Sequence, residues 1–250
     1  QELLEFNKNI KINNIFLTYP NSNQAVLKNI SLEIKAKSKI GIVGSTGSGK
    51  TTLVDFILGL LSADNGSLSV DGKIINQSNL RSWQKIIGYV PQQVYLVDDS
   101  IRANIAFGVQ NHKINQHVVE EVAKIANIHE FIIKELPNGY DSIVGERGVR
   151  LSGGQLQRIG IARAIYHNPK LLILDEATSA LDNITERDLM DALLNIKNRI
   201  TIIMIAHRLS TIKSCDEIIL LDSGEIKAKG SYANLDLSSD LFKKMAKPNN

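Results

Sequence analysis

Apolar residues along the chain form short runs that predict β-strands of two kinds. Between Leu27 and Ile34 apolar and polar residues nearly alternate, which is typical of a strand with one face in water. The runs 171–174 and 202–205 are apolar throughout, as in strands that are covered on both faces. Asp71-Gly72 and Asp222-Ser223-Gly224 predict turns between antiparallel strands. The predicted strands are Ile10–Leu17, Leu27–Ile34, Lys39–Val43, Ser67–Val70, Ile86–Val90, Lys170–Leu174, Ile200–Ile205 and Glu217–Leu221.

Helical patterns alternate with these strands through most of the chain. One begins directly after Gly49, and others cover about Asn115–Ala126, Ser152–Tyr166 and Asp182–Ile196. Helices that alternate with doubly buried strands indicate a parallel α/β core, whereas the antiparallel turns lie near the two ends of the chain. The sequence therefore predicts an α/β fold with a mostly parallel sheet and an antiparallel β part.

The stretch from about Gln92 to Arg150 differs from the rest of the chain, because it is mainly helical and has no strand pattern in its middle. We interpret it as part of a helical subdomain inserted into the α/β core. The predicted organisation is a single domain of residues 1–250. Its core consists of residues 1–91 and 168–250, and its helical subdomain of about 92–167.

Composition and charge narrow the class of protein. The chain has 250 residues, of which 43% are apolar and 22% charged, as in a globular protein rather than a disordered one. A net charge of +3 does not indicate a nucleic-acid partner. Cys215 is the only cysteine, which excludes an internal disulfide, and no apolar stretch is long enough for a membrane span. We expect the chain to be soluble, and its start at Gln1 suggests a piece of a longer protein.

A glycine-rich stretch after the strand Lys39–Val43 matches the phosphate-binding pattern G-x-x-x-x-G-K-[ST]. Glycines let backbone N–H groups point at phosphate oxygens, and the following helix adds the positive end of its dipole. Lys50 is placed to neutralise the β and γ phosphates, and the Thr51 hydroxyl to bind Mg²⁺. The alternative is a glycine-rich turn with a surface lysine. The predicted nucleotide-binding residues are Gly44, Ser45, Thr46, Gly47, Ser48, Gly49, Lys50, Thr51 and Thr52.

Two adjacent carboxylates, Asp175 and Glu176, end the apolar strand Lys170–Leu174. Charges at the end of a buried strand are costly unless a cation or hydrogen bonds compensate them. A Mg²⁺ ion bound to nucleotide phosphates would do so, with Asp175 holding the metal and Glu176 polarising the attacking water. Taken alone, the pair could also be a strand followed by a helix-capping aspartate.

The helix pattern Ser152–Tyr166 begins with Leu151-Ser152-Gly153-Gly154-Gln155. Ser152 and Gln155 form an S-x-x-Q capping box, which many unrelated helices share. The two glycines are unusual, since each costs about 1 kcal/mol relative to alanine in a helix. They make sense if a γ-phosphate must approach the start of the helix closely.

These motifs together resemble those of the nucleotide-binding domain of ABC (ATP-binding cassette) transporters of the exporter type. The stretch 151–155 is similar to the LSGGQ signature, and 145–148 to the exporter stretch before it. Residues 175–182 are similar to the Walker B motif and D-loop. The remaining family positions are matched by Tyr19 in the adenine-stacking position, Gln92 in the Q-loop and His207 as the switch histidine. Val97 departs from the pattern, because exporters often carry phenylalanine there.

The resemblance implies a P-loop NTPase fold and an ATPase that uses ATP and Mg²⁺. The implied catalytic residues are Glu176, His207 and Lys50. The implied metal ligands are Thr51, Gln92 and Asp175. The residues that are implied to contact the nucleotide in addition to the phosphate loop are Tyr19, Gln92, Ser152, Gly153, Gly154 and Gln155. Two copies would meet head to tail, each ATP lying between the phosphate loop of one and the signature of the other.

Hydrolysis would power export or flipping of a substrate through transmembrane domains N-terminal to this chain, at the cytoplasmic face of a membrane. A nucleotide-dependent phosphotransferase with the same phosphate loop is one alternative, but the signature helix and His207 would then have no role. We consider two further alternatives. One is a soluble ABC-type ATPase that acts on nucleic acid or ribosomes; the near-neutral charge and the single cassette argue against it. The other is a cassette that binds ATP without hydrolysing it, and the presence of Glu176 argues against that.

Overall fold

The computed structural model describes residues 4–20, 22–145, 150–177, 183–195, 200–206 and 209–246. The strands are β1 Asn9–Thr18, β2 Ala25–Lys35, β3 Lys39–Val43, β4 Asn65–Val70, β5 Lys73–Ile74, β6 Ile87–Val90, β7 Asp99–Ser100, β8 Ile143–Val144, β9 Leu171–Asp175, β10 Thr201–Ile205, β11 Glu217–Asp222 and β12 Glu225–Gly230. The helices are α1 Lys50–Ile57, α2 Leu80–Gln84, α3 Ile101–Ile105, α4 Gln116–Ile125, α5 His129–Glu135, α6 Gly153–Tyr166, α7 Asn183–Asn195, α8 Leu209–Ile212, α9 Tyr232–Ser238 and α10 Asp240–Ala246. Across these ranges no helix is long and apolar enough to cross a membrane.

The chain divides into two compact units. The first unit comprises residues 1–87 and 200–250, and the second unit residues 88–199. The predicted boundaries of the helical subdomain, 92 and 167, stay a prediction.

The first unit contains an antiparallel sheet with the strand order β2-β1-β4-β5. Ile10 on β1 pairs with Ile34 on β2 and with Val70 on β4. Buried and exposed positions alternate at the start of β1, and Ile10, Ile12 and Ile15 are fully buried. One face of this sheet therefore packs into the core while the other meets water, as the alternating pattern of β2 predicted.

The first unit also contains strands in the order β12-β11-β3-β10. β3 runs parallel to both β10 and β11, and β12 pairs with β11 in the antiparallel direction. Every residue of β3 and β10 is buried, because the strands are covered on both faces. The predicted parallel strands and the predicted antiparallel hairpin at the turn 222–224 are confirmed. The carboxyl end of β3 leads directly into the loop that precedes α1.

The second unit is mainly helical and contains the neighbouring strands β9 and β6. All five residues of β9 are buried. Helix α6 lies so close to strand β6 that a Cβ atom on Gly88 would lie 2.3 Å from the backbone oxygen of Ala164. A Cβ atom on Gly160 would lie 2.6 Å from the side chain of Val94. These two glycines therefore set the distance between α6 and the segment 88–94.

The structure confirms the predicted α/β class and adds elements that the sequence pattern did not predict. β3 has the predicted bounds, Lys39–Val43. The region 92–150, whose middle shows no strand pattern in the sequence, contains near its two ends the two-residue strands β7 and β8, which pair with each other. Helices α3 and α5, of five and seven residues, are too short for an apolar period to identify them.

Candidate functional site

The predicted phosphate loop, residues 44–49, joins the buried strand β3 to helix α1. Gly47 and Gly49 have φ angles of 77° and 101°, which side-chain-bearing residues rarely adopt. Gly49 is also the N-cap of α1, so the loop ends where the helix presents its unpaired N–H groups. The backbone of this segment thus has the shape and the direction that an anion site requires.

The side chain of Lys50 is held by the loop that it follows. Its Nζ atom donates hydrogen bonds of 2.9 Å to the backbone oxygens of Gly44 and Ser45, and the residue is only 7% exposed. The hydroxyl of Ser48 is buried without a hydrogen-bond partner among the described residues. A buried polar group of this kind costs about 1–3 kcal/mol, and such costs are typical of functional loops.

The turn between β11 and β12 forms hydrogen bonds with the phosphate loop. Ser45 Oγ donates to Asp222 Oδ1 at 3.2 Å, and the backbone N–H of Gly224 donates to the backbone oxygen of Ser48 at 3.1 Å. A Cβ atom on Gly44 would lie 2.1 Å from the Leu221 backbone oxygen. The close approach of the Leu221 backbone oxygen therefore requires glycine at position 44, whether or not a ligand also requires it.

Tyr19, predicted to stack on adenine, lies at the end of β1 in the first unit. Its hydroxyl forms a 3.0 Å hydrogen bond with Oγ1 of Thr52, in the first turn of α1. The structure therefore connects Tyr19 to the helix that begins with Lys50. Thr51 is exposed, and Thr52 is buried.

The carboxylates Asp175 and Glu176 lie at the end of β9 in the second unit. Asp175 is 6% exposed, and Glu176 follows it with a φ angle of 51°. This left-handed conformation is uncommon for a glutamate, and such strain clusters at functional sites. Gln92 Nε2 donates a 2.9 Å hydrogen bond to Glu176 Oε2. The structure thus brings together two of the predicted site residues, which are 84 positions apart in sequence.

The predicted signature segment forms the start of helix α6. Ser152 is the N-cap, and its Oγ accepts from the Gln155 backbone N–H at 3.2 Å. The Gln155 side chain accepts from the Ser152 backbone N–H at 2.7 Å, which completes the capping box. Gly153 lines a cavity of about 440 Å³, and so does Gln92. The capping interpretation is therefore correct, and Gly153, the residue after the N-cap, lies beside a cavity.

Sequence reasoning missed a polar network around Asn104 in the second unit. Arg163 on α6 donates to the Asn104 backbone oxygen at 2.8 Å, to Asn104 Oδ1 at 3.0 Å and to the Tyr95 backbone oxygen at 2.9 Å. Asn104 is fully buried. Its side-chain oxygen also accepts from the Val97 backbone N–H, and its side-chain nitrogen donates to the Val97 backbone oxygen. Burial lowers the pKa of the Arg163 guanidinium from its ordinary value.

The guanidinium of Arg163 also lies 5.1 Å from the ring centroid of the half-exposed Phe107. The network therefore joins α6 to the segment that follows Gln92. An asparagine within the otherwise apolar run 103–107 was the available signal.

Three predicted features lie outside the described residues. They are His207, the residues 178–182 of the predicted D-loop, and the residues 146–148 before the signature.

A loop of this shape after a buried parallel strand, together with paired carboxylates at the end of another buried strand, defines a P-loop nucleotide-binding domain. Comparison with known families agrees with this class: a family model described as ABC transporter matches residues 27–179. The chain therefore belongs to the ABC transporter family and is an ATPase domain of that family.

Individual relatives come from bacteria and plants. The chain is 43% identical over 234 residues to the ATP-dependent lipid A-core flippase of Syntrophus aciditrophicus, covering 94% of this chain and 38% of the flippase. It is 45% identical over 223 residues to ABC transporter B family member 17 of Arabidopsis thaliana, covering 89% and 18% of the two chains. The solved structure of a bacterial Atm1-family ABC exporter with ATP bound superposes with a TM-score of 0.90 at 37% identity, covering 97% of this chain and 42% of that one. The chain spans about two fifths of the length of its bacterial relatives.

Proposed function

We propose that this chain binds ATP through the phosphate loop, hydrolyses it with a second copy, and powers transport through membrane-spanning domains of a longer protein. Lys50 neutralises the β and γ phosphates, while the N–H groups of 44–49 and the first turn of α1 contact the phosphate oxygens. The observation that carries the proposal is the position of Lys50, held by two loop carbonyls at 2.9 Å beside the start of α1. A lysine fixed in this way loses little conformational entropy when a phosphate binds.

The residues assigned to Mg²⁺ fit a hard cation, because each of them offers an oxygen. Thr51 has an exposed hydroxyl, and Asp175 has a carboxylate at the end of a buried strand. Gln92 uses its amide nitrogen for Glu176, so its amide oxygen is the atom that it would offer to a metal. Bound there, Mg²⁺ would neutralise charge on the phosphates.

Glu176 is proposed as the general base of hydrolysis. Its carboxylate would take a proton from the water molecule that attacks the γ-phosphorus, while the bond from phosphorus to the departing ADP oxygen breaks. The hydrogen bond from Gln92 orients this carboxylate, and the left-handed backbone at Glu176 turns the residue away from the line of β9. We assign His207 as a further catalytic residue on the basis of its motif.

The start of α6 is proposed to complete the site of a second copy. The capping box engages the side chains of Ser152 and Gln155, and Ser152 and Gly153 are exposed. The glycines would let a γ-phosphate approach the helix N-terminus closely, where the helix dipole favours negative charge. Two identical chains would therefore form two sites, and loss of the γ-phosphate would favour their separation.

Transport is the proposed use of this cycle. The relatives named as a lipid A-core flippase and an ABC exporter favour it over an ATPase that acts on nucleic acid or ribosomes. The segment 92–100 is proposed to contact the transmembrane domains at the cytoplasmic face of a membrane. Three large apolar side chains are exposed in or near that segment: Tyr95, Val97 and Phe107.

Release of inorganic phosphate from ATP and the dissociation constant for ATP test this proposal. We expect the wild-type chain to release phosphate in the presence of Mg²⁺, and Lys50→Ala to bind ATP about 10–100-fold more weakly, since hydrogen bonds to charged groups contribute about 1.5–3 kcal/mol. Lys134→Ala is the matched control, because Lys134 is an exposed lysine that pairs with Glu130. Equal ATP affinity of Lys50→Ala and Lys134→Ala would contradict the proposal.

A further inference from the structure

Tyr19 is a partly exposed aromatic residue of the first unit. Both its backbone and its side-chain hydroxyl are restricted by neighbouring residues. It is 38% exposed and stands between β1 and Pro20. A following proline restricts the backbone of the residue before it to extended conformations. Within that range, the direction of the ring depends on the two torsions of the side chain.

The far end of the Tyr19 side chain is fixed by Thr52. The two hydroxyl oxygens are 3.0 Å apart, and Thr52 is only 5% exposed. A β-branched residue in a helix has few side-chain conformations, so Thr52 is a rigid partner. Thr52 also belongs to the same helical turn as Lys50. The hydrogen bond therefore attaches the aromatic ring to the helix that follows the phosphate loop.

A ring that is fixed before the ligand arrives loses less entropy when it binds. Immobilising a rotatable side chain on binding costs affinity, and preorganisation removes that cost. A phenylalanine would offer the same ring without the bond. The tyrosine hydroxyl therefore has a role that stacking alone does not explain.

We propose that Thr52 is a positioning residue that holds the ring of Tyr19 ready for the nucleobase. The inference rests on the proposed function, in which Tyr19 is the surface on which adenine stacks. Stacking on an aromatic ring accepts every base, because each base has a π-face. The bond between Thr52 and Tyr19 thus raises the affinity for ATP and for GTP alike, and its loss in Tyr19→Phe leaves the affinity for a triphosphate without a base unaffected.

The experiment measures dissociation constants by calorimetry for ATP, GTP and inorganic tripolyphosphate. The variants are Tyr19→Phe and Thr52→Val, which remove the two ends of one hydrogen bond, and their double mutant. We expect each single variant to bind ATP and GTP about two- to tenfold more weakly, the range that corresponds to one immobilised side chain. The double mutant should bind ATP no more weakly than the weaker of the two single variants, because both changes remove the same bond.

Two further variants separate the inference from the proposed function. Thr52→Ser keeps the hydroxyl and should restore most of the affinity for ATP. Tyr19→Ala removes the ring, and an unchanged ATP affinity in that variant would show that Tyr19 is not the base platform at all. If Tyr19→Ala weakens ATP binding but Tyr19→Phe does not, the role of Thr52 is wrong and that of Tyr19 stands. Losses that multiply in the double mutant, or an equal loss for tripolyphosphate in Tyr19→Phe, would also overturn the role of Thr52.

Discussion

At the scale of single residues, Glu176 is the side chain on which the proposed chemistry depends. It follows a buried strand, has a φ angle of 51°, and accepts a hydrogen bond from Gln92. A residue kept in such a conformation at the end of a strand indicates a functional constraint, because strain of this kind costs of order 1–3 kcal/mol.

Replacing Glu176 with glutamine tests its role as the base. Glu176→Gln keeps the size of the side chain but cannot take up a proton, so we expect turnover to fall about 10²–10⁴-fold while ATP still binds. The measurement is steady-state phosphate release combined with nucleotide binding. Glu121→Gln, at an exposed position of α4, is the control. A Glu176→Gln variant as fast as that control would show that another group is the base.

Asp71 provides a prediction about stability and pH. Its carboxylate accepts hydrogen bonds from the backbone N–H groups of Asn7, Lys8 and Asn9. Burial by itself would raise the pKa of Asp71, but these bonds and the nearby charge of Lys8 hold the pKa below its ordinary value. The ionised form therefore stabilises the fold above the unfolded pKa of about 3.9, and this contribution is lost as the pH falls through the lower folded pKa.

We expect Asp71→Asn to lower the free energy of unfolding at pH 7 by about 1–2 kcal/mol, a value reduced for partial exposure to solvent. Urea titrations at pH 7 and at steps below pH 5 measure the difference. The gap between wild type and variant should close towards the acid end. A gap that is constant with pH would mean that the charge of Asp71 does not contribute.

At the scale of elements, the network around Arg163 determines how firmly α6 is attached to the segment 95–104. Arg163→Met removes three hydrogen bonds and leaves the buried oxygens of Asn104 without these donors. We expect a loss of about 2–4 kcal/mol in the free energy of unfolding. Arg163→Lys should lose nearly as much, since an ammonium group cannot reproduce the guanidinium fork.

The control is Arg102→Met, which removes an exposed ion pair with Asp141 and should cost no more than about 1 kcal/mol. Urea unfolding of the three variants gives the comparison. If Arg163→Met lost no more than Arg102→Met, the network would have no stabilising role.

The same elements show what the sequence could and could not predict. The start of α6 was predictable, because a capping box is a contact between residues three positions apart. The strand β3 and the loop after it were predictable, since an apolar run and a glycine pattern are local signals. The bonds of Arg163 to Asn104 and Tyr95 span 59 and 68 residues, and no periodicity in the sequence identifies such pairs. The hydrogen bond between Gln92 and Glu176 likewise joins residues that are distant in sequence. The order of the motifs predicted both as site residues, but not the bond between them.

At the scale of the whole molecule, the central claim is that two copies share each ATP. The phosphate loop lies in the first unit and the signature helix in the second unit of one chain. The chain spans about two fifths of the length of its bacterial relatives, and the membrane-spanning domains that we propose as its partner would lie outside these 250 residues. The proposed shared site requires only two copies of this domain.

The most direct test is the mass of Glu176→Gln in solution, measured by light scattering with and without ATP and Mg²⁺. We predict that ATP converts the 27.6 kDa chain into a species of twice that mass. Ser152→Arg should abolish this species because it blocks the start of α6. Ser231→Arg, which removes the serine N-cap of α9, should not. The account would be contradicted by a wild-type chain that stays a monomer and hydrolyses ATP at a rate per molecule that does not depend on protein concentration.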